Sequence, residues 1–180
     1  VLISAVHPPT RATQNYPFPS AAVIGRFARS RRAGPRLASS GMNTSQTEET
    51  VIVGGGAAGL AVGYHLTRRD RPFVVLDAHQ RIGDSWRTRW DSLRLFTPAK
   101  FSGLPGWPIP ASGNSFPTKD EVADHLQAYA DRFEMPTRTG VRVTGLSRRD
   151  GRYVVEYGDR RLEADHVVVA TGAHRAPRVP

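Results

Sequence analysis

Ten residues, Val51 to Leu60, restrict what this chain can fold into more than any other stretch. Val51-Ile52-Val53 are apolar and β-branched, and they run directly into Gly54-Gly55-Gly56-Ala57-Ala58-Gly59, with glycines spaced as G-x-G-x-x-G. β-Branched residues suit a strand, and the alanines and leucine after them suit a helix. The order describes a buried strand, a tight turn and the opening of a helix. Gly54 would permit the turn, Gly56 would let backbone approach a diphosphate, and Gly59 would let helix pack closely on strand. The N–H groups of the first helical turn, at Ala57 and Ala58, would face the phosphates from the positive end of the helix dipole.

The residues beyond the turn give the glycines their meaning. Leu60, Ala61, Tyr64 and Leu66 fit one buried face of a helix running to about Arg69, and Pro72 prevents its continuation. Phe73-Val74-Val75-Leu76 then reads as a second buried strand ending at Asp77. Asp77 lies 18 positions after Gly59, close to the spacing of about 20 at which an acid meets a ribose hydroxyl in such units. Strand, glycines, helix, strand and acid in that order predict a site for an adenosine dinucleotide.

Composition narrows the rest. A chain of 180 residues has room for one domain and a tail. With no cysteine there is no disulfide framework, thiolate metal site or cysteine nucleophile, which is compatible with a reducing compartment and leads to the expectation of a cytoplasmic protein. No apolar run is long enough to span a membrane. The net charge of +9 is unevenly spread: residues 1–41 hold six arginines and no acid, whereas the remainder carries 19 basic and 16 acidic side chains. The excess therefore belongs to the leader, and no aromatic-basic platform accompanies it, so a nucleic-acid partner is not expected. Five prolines, scattered arginines and no periodicity make residues 1–41 read as a disordered extension, or as sequence upstream of a start at Met42. Residues 42–180 are expected to form the domain.

Further along, the proline- and glycine-rich stretch from Gly103 to Pro117 must be loop. Its aromatic residues Trp107 and Phe116, with Phe101 just before it, lead to the expectation of an ordered, packed segment. Thr118 opens a helix with Glu121 three residues on, the signature of a capping box. Val122, Leu126, Tyr129 and Phe133 make its apolar stripe, and Pro136 comes after its end. His125 reads as a structural or surface histidine. Val141-Arg142-Val143 begins another strand. Asp150-Gly151 and Gly158-Asp159 are turn signals around the alternation of Tyr153, Val155 and Tyr157, so a small antiparallel meander is predicted. His166-Val167-Val168-Val169-Ala170 reads as a fully buried parallel strand ending in Thr171-Gly172, and a ligand is expected at its carboxyl end.

These residues resemble the class B flavin-dependent monooxygenases, with the nearest likeness to bacterial flavoproteins and the plant enzymes of auxin synthesis. The likeness covers about Val51 to Pro180. It rests on the glycines at 54, 56 and 59, on Gly83-x-x-Trp86, and on the run Trp90 to Pro98 with Lys100, Phe101 and Leu104-Pro105. Phe116-Pro117-Thr118 before a helix and Ala170-Thr171-Gly172 after a buried strand complete it. The run from Arg81 to Pro98 is the most specific part, because no general fold rule demands it. The resemblance implies a Rossmann-like α/β FAD-binding domain, with a parallel sheet and a small meander, incomplete at its carboxyl end. It implies that Gly54, Gly56, Ala57, Ala58 and Gly59 hold the pyrophosphate and Asp77 the adenosine ribose. Gly83, Trp86 and Arg87 would line the flavin side, Val143 would meet the adenine by its backbone, and Thr171 and Gly172 would flank the cofactor. In this family NADPH reduces the flavin, which captures oxygen as a hydroperoxide and passes one atom to a small-molecule substrate. The NADPH site is expected beyond residue 180. Phe96 stands where many amine-oxidising members carry asparagine, which leaves the substrate class open.

Two other readings are compatible with the turn alone: a nicotinamide dehydrogenase, and a non-enzymatic nucleotide-binding module. No Ser-His-Asp or Cys-His arrangement and no metal-ligand cluster is evident, and Asp120, Asp124 and Asp131 fit a solvent-facing helix surface. No side chain is therefore expected to act as catalytic acid or base.

Overall fold

The computed structural model describes residues 46–172, together with the backbone of residues 22–24. Its strands are β1 (Ala22–Ile24), β2 (Gln46–Val53), β3 (Phe73–Leu76), β4 (Thr137–Arg138), β5 (Val143–Arg149), β6 (Arg152–Tyr157) and β7 (Arg160–Val169). The helices are α1 (Ala57–Thr67), α2 (Asp84–Arg87) and α3 (Lys119–Arg132), with a 3-10 turn at Ala99–Phe101. The sheet order is β4-β3-β2-β7-β6-β5, and β1 pairs antiparallel with the end of β7. The first four strands in that order are mutually parallel, and β7-β6-β5 form the antiparallel meander.

The sheet is covered on both sides, which is why its central strands read as unbroken apolar runs. Ile52, Val75 and Val168 turn to one face, where Leu60 and Leu66 of α1 and Val122, Leu126 and Tyr129 of α3 meet them. Val51, Val53, Val74, Leu76, Val167 and Val169 turn to the other, against Leu146, Tyr153, Val155 and Leu162 of the meander.

Several expectations are met closely, and others need revision. The strand at Phe73–Leu76 and the turns at Asp150-Gly151 and Gly158-Asp159 fall where the sequence puts them. Asp150 and Gly151 both take positive φ, 49° and 85°, as a tight two-residue hairpin requires. The capping box is complete: Thr118 N–H donates to Glu121 Oε2 at 2.7 Å, and Glu121 N–H donates to Thr118 Oγ1 at 3.2 Å. That contact from the Thr118 backbone, with the Thr118 hydroxyl, holds the Glu121 carboxyl below its ordinary value of 4.5.

The buried strand and the meander, expected as separate units, share one ten-residue strand. β7 pairs with β6 along Arg160–Ala164 and with β2 along Leu162–Val169. β2 likewise begins at Gln46, earlier than Val51, because its polar first half has β7 to pair with. α1 ends at Thr67 with Arg68 as its cap, short of Arg69, and Asp70 takes a left-handed φ of 49° in the turn after it. The strand expected from Val141 begins at Val143 and is bulged before Gly145. Of residues 1–41, the short strand β1 is described, and the expectation of a disordered extension otherwise falls outside the described residues.

Candidate functional site

The registers bring four chain turns to one edge. Val53 is level with Leu76 of β3 and Val169 of β7, and Leu76 is level with Arg138 of β4. Gly54, Asp77, Gly140 and Ala170-Thr171 therefore leave the sheet side by side, at the carboxyl ends of parallel strands where α/β domains bind ligands.

Each glycine of the turn meets a different constraint. Gly54 has φ 111°, and a Cβ there would run into the carbonyl of Ala170, so β2 and β7 can separate at this point only over a glycine. A Cβ at Gly59 would collide with the carbonyl of Gly54, which ties the start of α1 to the strand end. A Cβ at Gly56 would meet nothing within 4 Å. Only the third of these sites is free space, and it lies at the amino end of α1. That helix begins with Gly56 as its cap, without a side-chain cap and without an acid in the first turn. The N–H groups of Ala57, Ala58 and Gly59 thus stand at a positively polarised helix start, open beside Gly56, of the sign an anionic diphosphate needs.

Asp77 adjoins this helix start. Gly55 N–H donates to its Oδ2 at 2.6 Å, while the His79 N–H at 2.8 Å and ring Nδ1 at 2.9 Å both reach Oδ1. The carboxylate is thus held at the helix mouth, where the spacing from Gly59 puts it. The connection after β4 braces the same loop: Val141 N–H donates to Asp77 O at 2.8 Å, and Gly140 N–H to His79 O at 2.6 Å. Val143, expected beside the adenine, lies two residues further on in β5, so Gly140 and Val141 are the backbone in contact with the Asp77 loop. Thr171 adjoins Gly54, and Gly172 comes next with φ 76°.

The segment after Asp77 is held by α3. Gly83 has φ 88°, and a Cβ there would strike the backbone carbonyl of Ala123, so this glycine is needed where α2 meets α3. Arg87 donates to Ile82 O at 2.9 Å, Asp84 Oδ1 at 3.0 Å and Asp124 Oδ1 at 2.8 Å. Burial pushes the Asp84 carboxyl up, but the hydrogen bond from Arg87 and the charge of Arg81 outweigh it and hold it below 3.8. Lys119, buried at 7 % exposure, donates to Arg87 O at 3.1 Å and to Asp120. Arg87 is therefore committed to bracing α2 against α3, and its partner Asp124 is solvent-facing as expected, with its side chain 74 % exposed. Trp86 is partly buried against the helical core.

The loop expected to be packed divides. Trp107 stacks near Tyr129 and lies 5.0 Å from the His125 ring, with the Arg132 guanidinium 5.0 Å over its face, whereas Phe101 and Phe116 are 71 % and 46 % exposed. Trp90 and Phe96 are also exposed, at 59 % and 91 %. His125 is buried, and neither ring nitrogen has a hydrogen-bond partner. Among the described residues no group of His, Cys, Asp or Glu could hold a metal, and no helix is long and apolar enough to cross a membrane.

Sequence reasoning missed His79 and Gly55. The signal was there, because an aspartate whose side chain accepts from the backbone N–H two residues on is a common turn device.

The fold and its carboxyl edge define an α/β domain of the nucleotide-binding type. The chain belongs to the pyridine nucleotide-disulphide oxidoreductase family, whose profile matches residues 51–180. It is 42% identical over 132 residues to an oxidoreductase of Geobacillus kaustophilus named CzcO-like, covering 73% of this chain and 38% of that protein. It is 36% identical over 134 residues to indole-3-pyruvate monooxygenase YUCCA1 of Oryza sativa subsp. japonica, covering 72% of this chain and 33% of that protein. Among solved structures, a flavin-containing monooxygenase from Stenotrophomonas maltophilia matches with a TM-score of 0.71 and 37% identity, over 75% of this chain and 41% of that one. The chain thus spans well under half the length of these relatives.

Proposed function

We propose that the domain is the FAD-binding part of an NAD(P)H-dependent flavin monooxygenase or related oxidoreductase. The observation that carries the reading is the 2.6 Å contact from Gly55 N–H to Asp77 Oδ2 at the uncapped start of α1. A carboxylate suited to ribose beside a helix start suited to diphosphate supports this reading, because the ADP half of FAD requires both. The flavin half is argued from the relatives, which include a flavin-containing monooxygenase and an indole-3-pyruvate monooxygenase.

On this reading Gly54, Gly56, Ala57, Ala58 and Gly59 hold the diphosphate, and Asp77 takes the adenosine ribose. The adenine meets the backbone before Val143, and Thr171 and Gly172 flank the cofactor where β7 ends. Gly83, Trp86 and Arg87 shape the flavin side, with Arg87 acting through the brace it makes between α2 and α3. Bound FAD supplies the redox chemistry, accepting hydride from NADPH and activating oxygen for transfer to a small molecule. The protein's own residues bind, orient and shield it, and none is assigned as proton donor or acceptor. A cytoplasmic location is part of the reading.

Titration of the purified protein with FAD, monitored by quenching of flavin fluorescence, tests it. Saturable binding is expected, weakened about tenfold or more by Asp77→Ala, since hydrogen bonds to charged groups are worth about 1.5–3 kcal/mol. Binding of NADH with no flavin binding would replace the reading with that of a nicotinamide dehydrogenase.

A further inference from the structure

The loop after β3 holds a histidine to which the proposed function gives no role. A carboxylate has about four lone-pair positions. At Asp77 three are taken: His79 N–H and His79 Nδ1 both sit on Oδ1, at 2.8 and 2.9 Å, and Gly55 N–H sits on Oδ2 at 2.6 Å. To donate to a carboxylate, Nδ1 must carry the ring hydrogen, so this contact also fixes the tautomer of the neutral ring. The side chain of Asp77 is 13 % exposed and that of His79 35 % exposed, so the aspartate is largely covered while the imidazole stands at the rim. The backbone beneath them is fixed by Gly140 and Val141. The remaining lone pair lies on Oδ2, the oxygen beside the glycine turn.

We propose that His79 is a positioning residue for a ribose-bearing dinucleotide: its ring and N–H pin Oδ1 of Asp77, so that Oδ2 is presented to a single ribose hydroxyl at the mouth of α1. This rests on the dinucleotide reading of the site. It differs from a bidentate grip on both hydroxyls, because Oδ1 has no acceptor position left to offer. His79 acts through Asp77, and its contribution exists only when the ligand has a hydroxyl for that aspartate to hold.

The test compares ADP with 2′,3′-dideoxy-ADP by isothermal titration on the unmodified chain, His79→Leu and His79→Asn. His79→Leu is expected to weaken ADP about fivefold, the effect of one net hydrogen bond, and to leave dideoxy-ADP unchanged. His79→Asn, whose amide can donate to Oδ1, is expected to recover most of the ADP affinity. Equal losses for both ligands would make the imidazole merely structural and overturn the proposal, as would an unchanged ADP affinity in His79→Leu. If the unmodified chain binds neither ADP nor FAD, the dinucleotide reading itself falls and this proposal with it. If it binds ADP and His79→Leu binds it equally well, only the role of His79 falls.

Discussion

The edge of the sheet where Gly54 and Asp77 meet and the connection from Trp90 to Pro117 are built on opposite principles. At the first, almost every residue is explained by what it touches within the domain. Gly54 abuts Ala170, Gly59 abuts Gly54, Gly55 lies against Ile82, and the Asp77 carboxylate takes N–H groups on both oxygens. At the second, the fold accounts for the backbone and for Trp107 but not for the rings of Trp90, Phe96 and Phe101, each more than half exposed. Within the run from Arg81 to Pro98 that most resembles the flavin monooxygenases, Ile82, Leu93 and Arg87 are thus explained by internal contacts, and Trp90 and Phe96 are not. Self-contact selects residues throughout the turn, whereas in the connection it selects Leu93, Ala99, Trp107 and Ile109 but not the exposed rings of Trp90, Phe96 and Phe101.

The sharpest way to break this comparison is inside the turn. Gly59→Ala is expected to destabilise the domain by about 3 kcal/mol, because the new methyl group would meet a backbone carbonyl that cannot move aside. Gly56→Ala, three residues earlier, faces open space and is expected to cost less than about 1 kcal/mol, the range for replacing a glycine cap by alanine. Urea unfolding of the two variants reads the difference. Titration of Gly56→Ala with FAD should show affinity reduced about tenfold, since the methyl would stand where the diphosphate approaches. Equal stability losses would show that the glycines serve the fold alone.

The connection is expected to split in the same way. Trp107→Ala removes a ring packed on His125, Tyr129 and Arg132 and should cost about 2 kcal/mol, below the range of about 3–5 kcal/mol for fully buried aromatic truncations because the ring is only partly buried. Phe96→Ser, at a side chain 91 % exposed, should change unfolding free energy by no more than about 0.5 kcal/mol. A large loss at Phe96 would mean that the ring is buried against something in solution.

Legibility in the sequence divides along the same line. Glycine spacing, the distance to Asp77, the Thr118 capping box and the Asp150-Gly151 hairpin were legible because each is a local rule with one physical cause. The merger of the meander with the parallel sheet was not, because pairing of β7 with both β2 and β6 is a long-range choice that alternation along one strand does not encode. β4 has two residues and α2 four, too few to show periodicity. The two roles of Arg87 could not be separated from sequence either: a guanidinium beside a cofactor and one bracing two helices have the same local pattern. Burial of His125 was legible in principle, being three residues after Val122 and four before Tyr129 on the same helical stripe.

That buried histidine supplies the smallest effect and the finest test of the packed half of the connection. Burial pushes the His125 imidazole below its ordinary value of 6.5, so at mildly acid pH the unfolded chain binds a proton that the folded one does not. Its neutral, buried state therefore keeps full stability above about pH 6.5 and loses it as pH falls, by at most about 1.4 kcal/mol per pH unit. The carboxyls of Glu121 and Asp84, held low in the fold, add their own loss only as pH falls through their ordinary values of 4.5 and 3.8. His125→Phe, which removes two nitrogens without partners from beside Trp107, is expected to raise stability at pH 7 by about 1 kcal/mol. It should also flatten the unfolding profile between pH 6.5 and the carboxylate range, leaving the more acid limb in place. A Phe variant with an unchanged slope in that window would mean that the ring is hydrated in solution, and that Trp107 does not seal the face of α3 it lies on.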